Sequence, residues 1–379
     1  MSGDHAILAP SSASIWVPCP GSIQMSEGVV EEETDDSREG DAVHWLAAEM
    51  TKLPDTVTQS PVGITAPNGV IINEEMSEVV EIYIDELRRY GLSNAVIEQP
   101  VKIPDVHPEN WGTPDSWTWN RSTRTLYNHD LKYGHSTVVA EENWTLIDYI
   151  IGILRKLMNG DPMLSYGITV EFCIVQPRCY DGQGIFRRWT IKSDELKPYL
   201  EQLQQSAAEA MGPNPQLHVG EHCKHCKGRF RCPALTQSTA TYVDYSQTAV
   251  PMNLSERALG YELSVLNQAA DLIKFRKEAL ETEAAARIIK GQRIPGWVLE
   301  QGWGRDKWLR PDAEVAALGD LMGVKLLADP KPITPTQACK KLNAAAIDAE
   351  VIKSYYGKQP TAMKLVVDDN TKAKRIFKD

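Results

Sequence analysis

The stretch "RTLYNHDLKYG", residues 124–134, decides the fold because it has the pattern of a strand that ends in charged residues. In a strand, side chains two positions apart point to the same face, so Asn128, Asp130 and Lys132 face one way. Leu131 faces the other way. An acid and a lysine that share one face near the end of a strand are directed at a single spot.

The segments around this strand predict an α/β fold. Apolar residues at helical spacing predict helices at 38–50, 73–91 and 143–158, and short β-type runs predict strands at 95–103, 112–120 and 165–177. This order of elements predicts a mixed central sheet flanked by helices. Asp36 and Glu39, three residues apart, predict a capping box at the start of the first helix.

The carboxy-terminal third of the chain has a different pattern. From about residue 250, apolar residues alternate at spacings of four and three, which predicts one long helix that ends near Gly291. A second helix is predicted to begin at Thr334. We therefore predict two domains, residues 1–248 and a mainly helical region at 249–379, and a chain of 379 residues is long enough for both.

Composition excludes several classes of protein. Apolar residues make up 42% of the chain and charged residues 24%, which is typical of a globular protein, and no apolar run is long enough to cross a bilayer. The amino terminus lacks the pattern of a secretory signal, so we expect a cytoplasmic protein without membrane partners. The net charge of −11 argues against an overall basic surface but allows a local basic groove for nucleic acid.

Asp115 follows a Gly-Thr-Pro turn one predicted strand earlier. If segments 112–120 and 124–134 form a hairpin, Asp115 approaches Asp130. Two neighbouring carboxylates repel each other unless a divalent cation lies between them, and hard oxygen ligands select Mg²⁺ or Mn²⁺. Lys132 would then lie beside the cation, where it can orient a water or neutralise charge on a phosphoryl group.

These residues resemble the PD-(D/E)XK nuclease superfamily, in particular its RecB-like exonuclease branch. The family pattern is a histidine on a helix, then Gly-x-x-Asp, then Asp/Glu-x-Lys, then a helix with Gln-x-x-x-Tyr. The matching residues are His44 in "REGDAVH", Asp115 in "GTPD", Asp130 and Lys132 in "DLK", and Tyr149 in "TLIDY". Thr145 departs from the family glutamine. The resemblance implies a restriction-endonuclease-like core, although Asp-x-Lys alone is more often a surface ion pair on an edge strand.

The resemblance also implies roles for individual residues. Metal ligands would be His44, Asp115, Asp130 and the carbonyl of Leu131, with Glu98 on the preceding strand as a further candidate acid. The catalytic residues would be Asp115, Asp130, Tyr149 and Lys132, which is the catalytic lysine. Tyr149 would also contact DNA. Arg38 is a second candidate for a DNA phosphate because it lies near a helix amino terminus, which attracts anions.

Three of the seven cysteines are clustered. Cys223, Cys226 and Cys232 lie within ten residues and Cys19 is a distant fourth, which is not the pattern of a disulfide scaffold. Four thiolates can bind an iron-sulfur cluster or Zn²⁺, to which His222 and His225 can also contribute, or they can be plain buried thiols. The basic residues between these cysteines can contact DNA or form a solvated rim.

RecB-like nucleases that are linked to helicases or to CRISPR adaptation include members with one cysteine before the nuclease motifs and three after them. In those members the four cysteines hold a 4Fe-4S cluster. The resemblance therefore implies a structural cluster bound by Cys19, Cys223, Cys226 and Cys232, which would close a loop of some two hundred residues. Zn²⁺ is the alternative metal at these cysteines.

The sequence analysis thus predicts a Mg²⁺- or Mn²⁺-dependent DNA exonuclease acting on single strands or duplex ends. The resemblance further implies a role in phage or prophage recombination, in the cytoplasm of a bacterial host, beside a single-strand-binding or annealing protein. Two alternatives are a structure-selective endonuclease and a catalytically weak DNA-binding or scaffold protein.

Overall fold

The computed structural model describes residues 6–29, 34–53, 60–158, 167–179, 184–246 and 254–299. The chain divides into two units, Met1–Leu299 and Glu300–Asp379, and every described residue lies in the first. The helix predicted from Thr334 lies outside the described residues, and the domain boundary at residue 248 stays a prediction. None of the described helices has the length and apolar character needed to cross a membrane.

A five-stranded mixed sheet forms the core. The described residues contain seven strands, of which five form this sheet. The seven strands are β1 (Ala95–Ile97), β2 (Val101–Lys102), β3 (Trp111–Gly112), β4 (Ser116–Asn120), β5 (Thr125–Leu131), β6 (Thr169–Val175) and β7 (Phe186–Lys192). The order in the main sheet is β1-β4-β5-β6-β7, with β5 and β6 parallel and the other pairs antiparallel, while β2 and β3 form a separate ribbon. The predicted mixed sheet is confirmed.

Eight α-helices are found in the described residues. They are α1 (Ala13–Trp16), α2 (Ser22–Ser26), α3 (Asp35–Met50), α4 (Glu74–Arg89), α5 (Trp144–Leu157), α6 (Lys197–Ala210), α7 (Pro233–Ser246) and α8 (Glu256–Ile289). Helices α3, α4, α5 and α8 were predicted. The capping box at Asp36 is wrong, because α3 already begins at Asp35 and the side chain of Thr34 accepts a hydrogen bond from the backbone of Ser37.

Helices cover both faces of the sheet. Leu126 and Phe172 pack with α5 and α6 on one face, whereas Leu131 and Val175 pack with α3 and α4 on the other. Because successive side chains of a strand alternate between faces, a central strand that is covered on both sides buries nearly all its residues. The predicted alternation along β5 is confirmed.

The predicted strand at 95–103 is divided in the structure. Glu98 has a left-handed backbone with φ of 45°, and Pro100 has no N–H to donate to a sheet. β1 therefore ends at Ile97 and pairs with β4, while β2 begins at Val101 and pairs with β3. Glu98 lies just after a strand and not within it, which corrects the prediction for this residue.

The long helix α8 is confirmed, but it packs through an unexpected face. Four of its residues are buried: Ala269, Leu272, Phe275 and Ala279. Leu272 and Phe275 belong to the same hydrophobic cluster as Cys223, Cys232 and Leu235. Ala269 and Ala279 lie along the same face of the helix. The residues of the predicted apolar stripe, by contrast, are 39–50% exposed in the described part of the chain at Leu259, Leu263, Leu266, Ile273 and Leu280.

Candidate active site and cysteine cluster

The hairpin of β4 and β5 brings the two predicted aspartates to one place. Ser116 pairs with His129, so the residues that come next in this antiparallel register are Asp115 and Asp130. The backbone N–H of Leu131 donates to Asp115 Oδ2 at 2.7 Å. The predicted hairpin is confirmed. The observed contact of Leu131 is made by its amide, and a metal-binding role for its carbonyl stays a prediction.

Helix α3 brings His44 to Asp115. His44 Nδ1 lies 3.4 Å from Asp115 Oδ1 and 3.9 Å from Glu98 Oε1. One ligand atom from each of these three residues lies within 4.8 Å of the other two. Two carboxylates and one imidazole at this separation are a donor set that fits a divalent cation such as Mg²⁺ or Mn²⁺.

The backbone of Glu98 supports this arrangement. A residue other than glycine at φ of 45° stores strain of about 1–3 kcal/mol, and such strain is concentrated at functional sites. The Glu98 N–H donates to the carbonyl of Asp115 at 3.0 Å, which fixes the two acidic residues to each other through the backbone. The strained turn after β1 thus holds the Glu98 carboxylate next to His44.

Asp130 and Lys132 form an ion pair beside this group. Lys132 Nζ lies 2.8 Å from Asp130 Oδ2, and the side chain of Asp130 is almost fully buried. Asp130 is not a member of the group formed by His44, Glu98 and Asp115. Because β5 lies between β4 and β6, the alternative of a surface ion pair on an edge strand is wrong.

Charge in the site is balanced by protons. Burial lowers the pKa of His44, but the charge of Asp115 and the hydrogen bond to it outweigh burial and raise that pKa to about 9. Burial and then the charge of Asp115 raise the pKa of Glu98 to about 7. Burial also raises the pKa of Asp130, although Lys132 opposes this effect. A cation that displaced the protons of His44, Glu98 and Asp130 would be attracted by the carboxylates of Glu98, Asp115 and Asp130.

Lys132 stays charged, and Asp115 stays ionised. Burial lowers the pKa of Lys132, but the charges of Asp130 and Asp115 outweigh burial, so that the pKa is raised. Burial likewise opposes the ionisation of Asp115, but the charge of His44 outweighs it and lowers the pKa of Asp115. At neutral pH, Lys132 is therefore a fixed positive charge and not a proton acceptor.

Tyr149 lies under the turn that carries Asp115. It is 7% exposed, and a Cβ placed on Gly112 would lie 3.0 Å from both Tyr149 Cε1 and Pro10 Cδ. The glycine of "GTPD" is thus needed for close packing against Tyr149 and Pro10. The predicted catalytic and DNA-binding roles of Tyr149 stay predictions.

Arg38 is engaged with the protein in this structure. Its Nη2 donates to the carbonyl of Asn68 at 2.9 Å, and the Asn68 amide donates back to the carbonyl of Arg38 at 2.7 Å. This pair fixes the start of α3 to the loop before α4. A phosphate contact by Arg38 stays a prediction.

The sequence analysis missed a buried acid next to Tyr149. Both oxygens of Asp148 accept from Asn110 Nδ2 at 2.9 Å, and burial raises the pKa of Asp148 to about 8. Asn110 immediately precedes β3, so the pair links α5 to the turn before Asp115. The signal in the sequence was an aspartate within the apolar run "TLIDYII".

The four predicted cysteine ligands line one small cavity. Cys19, Cys223, Cys226 and Cys232 are buried free thiols, and the backbone N–H of His218 donates to Cys19 Sγ at 3.4 Å. Their shared cavity and thiol chemistry fit an iron-sulfur cluster or another thiophilic metal.

Hydrogen bonds hold the two parts of this cluster together. The Gly21 N–H donates to the carbonyl of Gln216 at 2.9 Å, and Arg231 Nε donates to the carbonyl of Met25 at 2.9 Å. A Cβ on Gly228 would collide with the same Met25 carbonyl. Arg231 therefore joins the two segments. This contact explains the presence of one basic residue in the loop without a role in DNA binding.

Comparison with known proteins gives a family and, among solved structures, a weak likeness. The family model described as "Protein of unknown function (DUF2800)" matches residues 5–373. A solved structure titled "Crystal structure of SSO0001" is 11% identical, with a TM-score of 0.30 over 62% of this chain and 89% of that chain. A likeness at this level carries no argument.

Proposed function

The chain belongs to the DUF2800 family of proteins of unknown function, and we propose that it is a divalent-metal-dependent DNA exonuclease. We further propose that it belongs to the RecB-like branch of the PD-(D/E)XK superfamily. The observation that carries the proposal is the convergence of His44, Glu98 and Asp115 beside the Asp130–Lys132 pair. These residues come from a helix, a strained turn and a hairpin that are far apart in sequence.

The site is accessible in a way that suits a polymeric substrate. The side chains of His44, Glu98 and Lys132 are 30%, 35% and 35% exposed, whereas those of Asp115 and Asp130 are 15% and 7% exposed. The buried aspartates are thus fixed in position, and the groups above them can meet a phosphodiester. This combination of rigid and accessible groups supports catalysis over a purely structural site.

The chemistry follows from these positions. When bound, a divalent cation would activate a water and stabilise the leaving oxygen of the phosphodiester. His44, Glu98 and Asp115 would hold the cation. Lys132 would neutralise charge that develops on the phosphoryl group, and Asp130 would hold the Lys132 ammonium in place. Because the pKa of Lys132 is raised, we assign it an electrostatic role and not that of a general base.

The resemblance of the cysteine spacing favours an iron-sulfur site over a zinc site, although four thiols can hold either metal. The four cysteines line one cavity, and their spacing in the sequence resembles that of RecB-like nucleases with an iron-sulfur cluster. We therefore propose a structural 4Fe-4S cluster held by Cys19, Cys223, Cys226 and Cys232.

The sequence resemblance supports the finer parts of the proposal. It favours an exonuclease that works on single strands or duplex ends in phage or prophage recombination, in a bacterial cytoplasm and beside a single-strand-binding or annealing protein. A scaffold without turnover would not need to retain Asp115, Asp130 and Lys132 together. A structure-selective endonuclease uses the same residues, so it is tested separately.

The test uses linear and circular DNA. Protein purified without oxygen is mixed with end-labelled single-stranded and duplex DNA, and with circular single strands, in Mg²⁺, Mn²⁺ or EDTA. We expect metal-dependent shortening of linear DNA from one end and no cleavage of circles. Cleavage of circles would instead support the endonuclease. Binding without any hydrolysis in either metal would support the scaffold and contradict a nuclease.

A further inference from the structure

A second group of donor atoms lies inside the molecule, away from the candidate active site. Glu86 of α4, His129 of β5 and Cys173 of β6 are all buried, and one ligand atom of each lies within 4.8 Å of the other two. His129 and Cys173 are directly paired across the parallel strands β5 and β6. Because His129 precedes Asp130 in β5, the two side chains point to opposite faces of the sheet.

His129 lacks hydrogen-bond partners although it is buried. It is 1% exposed, and neither ring nitrogen makes a hydrogen bond with the described residues. Glu86 Oε1 lies 3.9 Å from His129 Nε2, and Glu86 Oε2 also makes no hydrogen bond with the described residues. Each buried polar atom without a hydrogen bond destabilises the folded protein, so three such atoms at one point indicate a missing ligand.

The charges around this group are compatible with a bound cation. Arg188 Nη2 donates to Glu86 Oε1, and Arg188 Nε lies 3.5 Å from Glu171 Oε1. Arg89 adds a weak ion pair at 3.6 Å from Glu86 Oε2, but its side chain is 69% exposed and solvent screens it. Inside the cluster, the carboxylates of Glu86 and Glu171 and the one Arg188 guanidinium leave one negative charge. Burial raises the pKa of the Cys173 thiol to about 12, so a divalent cation that displaces the thiol proton adds one positive charge and neutralises the cluster.

We propose that Glu86, His129 and Cys173 bind a Zn²⁺ ion. A thiolate, an imidazole and a carboxylate are the three ligand types that Zn²⁺ takes in proteins, whereas the thiolate disfavours Mg²⁺ and Ca²⁺. Neither ring nitrogen of His129 makes a hydrogen bond with the described residues, so one of them is available to the metal. The site is separate from His44, Glu98 and Asp115, and from the four-cysteine cavity.

The ion would join three elements behind the candidate active site. It would connect α4 to β5 and β6, and β5 is the strand that carries Asp130. All three ligands are buried, and a water would take the fourth position of a tetrahedral Zn²⁺ ion. The inference does not depend on nuclease activity, because its test reads the metal and its ligands and not the hydrolysis of DNA.

The first test examines the unmodified protein. The full chain is expressed in medium with added Zn²⁺, purified without oxygen and washed with EDTA, and its zinc is measured by elemental analysis and by X-ray absorption at the zinc edge. We expect about one zinc per chain, with one sulfur at about 2.3 Å and nitrogen or oxygen at about 2.0–2.2 Å. Absence of zinc, or coordination by several sulfurs as in the four-cysteine cavity, would overturn the proposal.

A matched pair of variants identifies the sulfur. Cys173→Ser should lose the zinc, while Cys179→Ser, which changes another buried thiol outside the group, should keep it. If Cys173→Ser keeps its full zinc content, the proposal is wrong. The absorption spectrum of the unmodified protein decides the matter even if Cys173→Ser does not fold.

Discussion

Asp115 is the residue on which the candidate active site depends most. Its Oδ2 accepts from the Leu131 amide, its Oδ1 faces His44, and its backbone carbonyl accepts from Glu98. Asp115→Asn removes one negative charge at the centre of the donor group. We expect Mn²⁺ to bind at least about 10-fold more weakly, as measured by calorimetric titration.

The matched control for this variant is Asp85→Asn. Asp85 is an exposed acid on α4 that pairs with Arg88 and lies outside the donor group. The control should bind Mn²⁺ as the unmodified protein does. Equal Mn²⁺ affinity in Asp115→Asn and in the unmodified protein would show that Asp115 is not a ligand.

Metal affinity should also depend on pH. His44 has a pKa of about 9 in the metal-free site, so at pH 7 it must lose a proton before it can bind a cation. Since the cation competes with that proton, Mn²⁺ affinity should rise with pH, by about tenfold per unit between pH 7 and 9. Titrations at several pH values check this slope. A flat profile would mean that His44 is not a ligand.

Some residues of the candidate active site were predictable from the sequence, and others were not. Asp115, Asp130, Lys132 and His44 were recognisable because their spacing follows a known pattern. The strained backbone of Glu98 and the amide contact of Leu131 were not predictable, because both depend on how β1 ends and on the hairpin register. The group of Glu86, His129 and Cys173 was also missed, since it forms only when two strands and a helix pack together.

At the scale of elements, two glycines in helices should respond in opposite ways to the same change. A Cβ on Gly152 of α5 would lie 2.7 Å from Ile103 Cγ1, whereas a Cβ on Gly260 of α8 meets no atom within 4 Å. Alanine has the higher helix propensity, by about 1 kcal/mol, but overpacking costs about 1–3 kcal/mol. Gly152→Ala should therefore lower the thermal midpoint, and Gly260→Ala should maintain or raise it.

Thermal unfolding followed by circular dichroism measures both variants. A higher midpoint for Gly152→Ala would contradict the close contact of α5 with the residues after β2. The contact matters for function because α5 also carries Tyr149 and Asp148, which lie next to the turn before Asp115.

Elements with a strong periodic pattern were predicted, whereas β7, at one edge of the sheet, was not. Helices α3 and α4 have a clear buried face, α5 is buried over residues 146–154, and β5 and β6 are buried on both faces. β7 was missed because it is an edge strand with several exposed polar residues. The division of segment 95–103 depends on the positive φ of Glu98, which the hydrophobic periodicity of the sequence does not indicate.

At the scale of the whole molecule, the cysteine cluster should close a long loop. A metal that links Cys19 to Cys226 removes closure entropy for about two hundred residues, which is on the order of 5 kcal/mol. Cys226→Ser should therefore lose the visible absorption of the cluster and lower the thermal midpoint by several degrees. Cys179→Ser is the control. An unchanged spectrum in Cys226→Ser would contradict the proposed ligand set.

The general fold was predictable because the order of elements limits how a sheet and its helices can pack. The packing of α8 was not, since its predicted apolar stripe is exposed in the described residues and a different face contacts the cysteine segment. The close approach of the amino-terminal segment to Gln216 and Arg231 also depends on tertiary contacts. Only the resemblance of the cysteine spacing indicated that these segments meet.

The measurement that most directly tests the central claim is hydrolysis of end-labelled DNA by Asp130→Asn and Lys132→Ala. The control is Lys277→Ala, which changes an exposed lysine on α8 that pairs with Glu281. All are purified without oxygen and assayed with Mn²⁺. We predict that both site variants bind DNA but cleave at least about 100-fold more slowly than the unmodified protein and the control. Equal cleavage by all four proteins would show that Asp130 and Lys132 are not the catalytic pair.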